Sequence, residues 1–186
     1  MEQQYGAVDI PGAQQLLQEA GVTTPVDVRF HFAANNPRRA NEYDLMKASA
    51  AQAGFNLIDG RSPSWGQQLP NIEIYDASLF GWQSTGTGIT ESMANFVTGG
   101  SNNYGQFSNQ TVDQSYDGLA GSVLEPDQVT TDLTTVEKTL VDQAFGVTIY
   151  QFPGVTSFNS TKVQNVGVIP LGPGPFFNYW EWTPAS

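Results

Sequence analysis

The chain has 186 residues, 39% of them hydrophobic and 12% aromatic, which suits one domain, or one domain with an appendage, and is enough to bury a core. Seven Lys and Arg against 18 Asp and Glu give a formal net charge of −11, so a phosphate backbone would be repelled and nucleic acid is excluded as a partner. The absence of cysteine excludes disulfides, thiolate metal sites and cysteine nucleophiles, and no apolar run of about 18 residues could span a bilayer.

The first predicted element is a helix. Asp9 is its N-cap, Pro11 lies in the first turn, Ala13, Leu16, Leu17 and Ala20 recur at helical spacing, and Gly21 stops it. VDVRFHF, residues 26–32, alternates Val26, Val28, Phe30 and Phe32 with polar residues, the period of a half-buried strand. His31 falls on the polar face of that strand with Asp27 and Arg29, and is expected to face solvent. Asn35-Asn36-Pro37 makes a turn, a helix follows over 38–53, and Gly54 precedes a strand starting at Phe55. SPSWGQQLPN, residues 62–71, reads as a loop and IEIYDASLFGW, 72–82, as the next strand. TESMANFV, 90–97, reads as a helical turn, and GGSNNYGQFSNQ, 99–110, as irregular. Val112, Tyr116, Leu119 and Val123 mark a short helix. Pro126 opens the most regular helix, with Val129, Leu133, Val136, Leu140 and Ala144 in step before Gly146, and VTIYQF, 147–152, reads as a strand. Helices and strands alternate, which is an α/β pattern.

Catalytic signals are sparse. One histidine and no cysteine leave carboxylates as the only further zinc ligands, and none cluster at ligand spacing. No GxSxG elbow surrounds a serine, and no phosphate-binding GxxxxGK[ST] is present. A carboxylate pair for glycoside chemistry stays open, because spacing in space is invisible in a sequence. The binding signals are stronger. Trp65, Trp82, Tyr104 and Phe107 lie on predicted loops among Asn, Gln, Ser and Gly, the composition with which a protein holds a polar ligand by stacking and a few directed hydrogen bonds.

Five segments, in this order, resemble the C-terminal part of the family 5 solute-binding proteins that serve ABC importers. They are DIPGAQQLLQEAGV, VDVRFHFAANNPRRANEYDLMKASAAQAGFNL, IYDASLFGW, NNYGQFSNQTVDQSYDGL, and the helix carrying Leu133, Glu137 and Leu140 with VTIYQF after it. The resemblance implies an α/β fold, a mixed sheet flanked by helices, forming one lobe of a type II periplasmic-binding-protein-like fold. Residues 1–156 would be the second ligand-binding lobe of a longer chain. Residues 157–186 would be the crossover and the tail that pack on an absent first lobe. It implies binding without catalysis, with no metal and no cofactor, and Trp82, Gln83, Ser84, Thr85, Asn103, Tyr104 and Trp65 as ligand contacts. The partners implied are a peptide or other small polar solute, the membrane permease subunits and the first lobe. The location implied is extracellular or periplasmic, tethered by a lipid anchor on a preceding segment.

One position departs from the family pattern. In peptide-binding members the Gly-Trp pair is followed, three residues after the Trp, by an Asp that pairs with the peptide α-ammonium. Here Gly81-Trp82-Gln83-Ser84-Thr85 puts Thr85 at that place, and Glu91 is the nearest acid downstream. An ammonium taken out of water without a counter-charge is costly. Either another acid serves, or the ligand is a sugar, a blocked peptide or another small polar solute. A carbohydrate-active enzyme and an interaction module using the aromatic tail are the rival readings.

Overall fold

Alternating apolar residues build the central strand. In the computed structural model β1, Val26–Ala33, lies in the middle of a three-stranded parallel sheet of order β2-β1-β3, with β2 at Phe55–Ser62 and β3 at Ala77–Ser78. The structure describes residues 7–83, 86, 88–121, 125–152, 154–169, 174 and 176–185. They divide into an N-terminal unit ending at Gly81 and a C-terminal unit starting at Trp82.

Parallel neighbours need a crossover, and helix α2, Pro37–Ala53, supplies it between β1 and β2. Helix α1, Ile10–Glu19, precedes them. Helix α1 starts at its expected cap, and α2 starts at Pro37, one residue before its expected range. The Asp9 carboxylate accepts the Gly12 N–H, and Asn36 Oδ1 accepts the Arg39 N–H, each satisfying an orphan amide of the first turn. Gly54 ends α2 at φ +101°, a conformation that disfavours a side chain. The apolar face of β1 turns toward α2, where Phe32, Tyr43, Leu57 and Leu79 are buried and Val28, Phe30, Ala40, Met46 and Ala50 pack around them. The Tyr43 hydroxyl donates to the Leu57 carbonyl at 2.9 Å, so the one polar atom of this ring is satisfied.

Three expectations need correcting. His31 shares its face with Asp27 and Arg29 but is only 4% exposed. The Tyr75 ring covers it at 5.2 Å, nearly parallel, and its Nδ1–H donates to the Gly60 carbonyl at 2.8 Å. The predicted strand over 72–82 shrinks to β3. Ile72–Ile74 is a 3-10 turn instead, because Asn71 Oδ1 takes the Glu73 N–H and the Arg29 guanidinium takes the Glu73 carbonyl and the Asp76 carboxylate. The predicted strand over 147–152 is not one. A strand needs a partner ladder, none pairs with it among the described residues, and Val147, Ile149 and Phe152 stay exposed.

The Arg29–Asp76 pair is the ionic clasp of the sheet. The Asp76 carboxylate accepts the Arg29 backbone N–H at 2.7 Å and two guanidinium N–H bonds at 3.0 and 2.7 Å. These bonds hold the Asp76 carboxyl down to about 2, against an ordinary value of 3.8. A depressed carboxylate stabilises the fold above its ordinary value and loses that contribution as pH falls toward about 2. Urea denaturation followed from pH 6 to pH 2 is expected to show stability falling through this window, with a shallower fall in Asp76→Asn. An identical slope in the variant would remove the clasp from the account. Both side chains are more than two-fifths exposed, so the effect is a modest one.

The C-terminal unit is built on helices. After a short turn α4, Met93–Phe96, helices α5, Gln110–Ala120, and α6, Pro126–Asp142, pack together (α3 is the single turn Trp65–Gln68 of the N-terminal unit). Val112, Tyr116, Leu119 and Val136 are its buried centre. Asn109 Oδ1 caps α5 by accepting the Thr111 and Val112 N–H groups, and the Asp113 carboxylate accepts the Thr98 N–H and hydroxyl, tying the preceding loop to the helix. Val123, expected at the end of α5, lies outside the described residues. The tail carries a two-stranded antiparallel ribbon, β4 at Val163–Gln164 and β5 at Thr183–Pro184. Asn178, at φ +53°, is buried beside it, bonding Gly167 N–H, Asn165 O, Glu181 Oε2 and the Trp182 indole N–H.

Candidate functional site

Trp82 and Tyr104 are brought together across a long stretch of chain. Their rings stack at 6.0 Å between centroids with 8° between planes, the offset arrangement that aromatic quadrupoles favour. Trp82 remains 46% exposed, so the pair presents ring surface to solvent. Beside it lies a cavity of about 310 Å³ lined by Trp82, Gln83, Gly88, Glu91, Ser92, Asn95 and Asn102. That is at the small end of the range for ligand sites. Glu91 closes the loop leading into it, with Oε1 accepting the Gly86 N–H at 2.8 Å. The Ser92 hydroxyl is bonded to the Tyr116 hydroxyl at 2.8 Å, and the Asn102 amide donates to Asn95 Oδ1 at 3.3 Å.

The loop that carries Tyr104 is fixed from beneath. Asn103 is 8% exposed, and its amide is spent on backbone: Nδ2 donates to the Val97 and Phe107 carbonyls at 2.9 and 2.7 Å, and Oδ1 accepts the Phe107 N–H at 3.0 Å. The turn before it needs glycine. Gly99 has φ +72°, and a Cβ on Gly100 would sit 2.4 Å from the Ala94 carbonyl oxygen. Of the residues singled out in the sequence, Trp82 and Gln83 line the cavity, Tyr104 stacks on its wall, and Asn103 braces the loop below. Ser84 and Thr85 lie outside the described residues.

Trp65 belongs to the N-terminal unit, on α3. Its indole N–H donates to Ser78 Oγ at 3.1 Å, one face meets Phe80 at 5.2 Å, and the Arg39 guanidinium lies 4.1 Å from the ring centre. Burial lowers the Arg39 pKa. A larger cavity in this unit, about 490 Å³, is lined by Leu17, Gln18, Val22, Thr24 and the end of α2. Neither an aromatic ring nor a charged group lines it, so it is poorer in recognition chemistry than the smaller one despite its size.

The sequence reading did not single out Gly88, Ser92, Asn95 or Asn102. Ser92 and Asn95 are three apart on one helical turn, a spacing that puts both on one face. Asn102 sits in a Gly-rich stretch whose path no local signal reveals. Among the described residues, no group of three or more His, Cys, Asp and Glu is placed to hold a metal ion, and no helix is long and apolar enough to cross a membrane.

No protein-family model matches the sequence, and no curated protein matches it. Solved structures do match. NikZ from Campylobacter jejuni, in complex with Ni(L-His), superposes with a TM-score of 0.71 at 14% identity, over 94% of this chain and 39% of its own. NikA from Staphylococcus aureus, in complex with Ni(L-His)2, gives 0.63 at 16% identity, over 70% and 29%. The ABC transporter substrate-binding protein CtaP from Listeria monocytogenes gives 0.64 at 15% identity, over 73% and 28%. At these identities the likeness is one of fold. The chain has the α/β architecture of one part of a periplasmic-binding-protein-like molecule and spans well under half the length of each of these three.

Proposed function

We propose that this chain is the second lobe of a solute-binding component of an ABC importer. It would capture an extracellular or periplasmic peptide, or a similar small polar solute, and deliver it to the membrane permease without chemical change. The observation that carries this reading is the cavity lined by Trp82, whose ring stacks on Tyr104, on a chain whose fold is that of part of a substrate-binding protein. Two lobes closing on a solute is an established hinge device, and an aromatic wall in one lobe is what such closure would press the solute against. A first lobe is the partner this reading assigns to the tail of residues 157–186, where Phe158, Phe176, Tyr179 and Trp180 are exposed. A lipid anchor would belong to a preceding segment.

Native mass spectrometry of the protein isolated from its own host tests the reading. A small polar molecule released on denaturation supports it, and a protein that carries none and binds none from peptide and sugar mixtures refutes it. Trp82→Ala is expected to weaken solute binding at least tenfold. It should leave thermal stability within a few degrees, because nearly half of the Trp82 surface is already in water. A parallel collapse of stability would make Trp82 a packing residue instead.

A further inference from the structure

We infer that Asn159 is an acceptor for N-linked glycosylation, its co-substrate a glycan carried on a lipid pyrophosphate, and that the fold picks it over Asn109. The inference rests on the extracellular or periplasmic location proposed above and on no property of the cavity. Two Asn-x-Thr triplets occur in the sequence, Asn109-Gln110-Thr111 and Asn159-Ser160-Thr161. That is the pattern glycan transferases read on surface loops of exported proteins. A triplet is only a permission, and the structure treats the two oppositely.

Asn159, Ser160 and Thr161 are all exposed, in a turn that leads into β4. The Asn159 backbone carbonyl closes that turn by accepting the Lys162 and Val163 N–H groups at 3.0 and 3.1 Å. Its side-chain oxygen accepts the N–H and the hydroxyl of Thr161, at 3.0 and 2.7 Å. Both donors fall on Oδ1, so Nδ2, the atom a glycan joins, carries no hydrogen bond among the described residues. The threonine that the triplet requires already touches the amide. No helix or strand includes these three residues, so drawing them into an active site breaks no helix and no ladder.

At Asn109 the same atoms hold structure together. Asn109 is half-buried, its Oδ1 caps α5 through the Thr111 and Val112 N–H groups, and Val112 has no exposed surface. Threading that triplet into a transferase uncaps the helix and pulls a core residue outward. At Asn159, Nδ2 attacks the anomeric carbon of the donor sugar. A C–N bond forms, the C–O bond to the pyrophosphate breaks with its electron pair leaving on the lipid pyrophosphate, and the amide proton passes to a base of the transferase. A glycan there also requires that a first lobe packed on Phe158 leave the polar turn beside it in water.

The test incubates the folded 186-residue protein with a transferase that requires only Asn-x-Thr and with its lipid-linked glycan. Tryptic mapping then separates the two acceptors, because Lys138 and Lys162 bound the peptide that holds Asn159. Asn159 is expected to be modified about tenfold faster than Asn109, the order that loss of one helix cap sets. Synthetic peptides covering residues 105–115 and 155–165 should be modified at comparable rates, which assigns the difference to the fold. Asn159→Gln and Thr161→Ala, both at exposed positions, should abolish the modification of this peptide. Equal rates at the two sites of the folded protein would overturn the inference, and so would an unmodified Asn159. The same peptide map of the protein isolated from its own host should show sugar on Asn159, and a bare Asn159 there would also overturn it. None of these outcomes bears on solute binding, which the released small molecule decides separately.

Discussion

Phe32→Ala is expected to remove about 3–5 kcal/mol of stability, the cost of truncating a fully buried aromatic ring where neighbours collapse only in part. Phe32 has no exposed surface. Its ring stacks on Tyr43 at 5.0 Å, lies 6.4 Å from Phe30, and is capped by the Arg61 guanidinium at 5.4 Å. Tyr43 in turn holds the Leu57 carbonyl of β2. One truncation therefore loosens the contact of β1 with α2 and, through Tyr43, the contact of α2 with β2. Domains of ordinary stability have about 5–15 kcal/mol in total, so the variant stands close to unfolding. Urea denaturation with amide exchange should show β1 and β2 losing protection together. Leu45→Ala, 75% exposed on α2, is the control and should change stability by about 0.5 kcal/mol or less. Comparable losses in the two variants would mean that Phe32 does not anchor the sheet.

The second large effect falls on Asn103. As a ligand contact, Asn103→Ala would cost binding and little else. The geometry assigns it a different task, because three hydrogen bonds run from its buried amide to the backbone at Val97 and Phe107. Removing them strands the Phe107 carbonyl and N–H, while the Val97 carbonyl keeps the Gly100 N–H at 2.9 Å. Each stranded group is worth about 1–3 kcal/mol if left buried without a partner, so the expected total is about 2–4 kcal/mol. The loop would loosen, and with it the neighbouring Tyr104. Loss of the Trp82–Tyr104 stack should accompany loss of stability, read as a change in tryptophan emission at denaturant concentrations where wild type is intact. An Asn103→Ala protein of wild-type stability that binds solute more weakly would return Asn103 to the ligand.

The helices were legible because their signals are local. Asp9 announces the start of α1 by residue type and is found accepting the N–H three residues on; Asn36, read only as part of a turn, does the same for α2. The alternation of VDVRFHF marked β1, and Val28, Phe30 and Phe32 of its apolar set pack against α2. The same alternation misplaced His31, since a period of two separates the faces of a strand and does not say what covers each. Tyr75 covers this one from more than 40 residues away. IEIYDASLFGW failed as a strand for a related reason. Arg29 claims the acceptors at Glu73 and Asp76, and no propensity within the segment records that competition.

The site divides in the same way. Trp82 and Tyr104 were visible as loop aromatics among small polar residues, and stacking is a property that those residue types bring with them. That Asn103 turns inward to brace while Tyr104 turns outward to stack is set by which backbone groups lie beneath the loop. That Glu91, rather than any other of the 18 acids, stands at the cavity goes with the bond its Oε1 makes to the Gly86 N–H, which no local signal announces. By itself the sequence determined the helix ends, the central strand, the acidic field and the supply of aromatic and amide groups, all of them set within a turn or two of chain or by composition. Only the tertiary structure decided which strand face is covered, which amide is already committed and which carboxylate lines the cavity beside Trp82. Those are contacts between residues far apart in the chain, and they exist only once the backbone has closed around them.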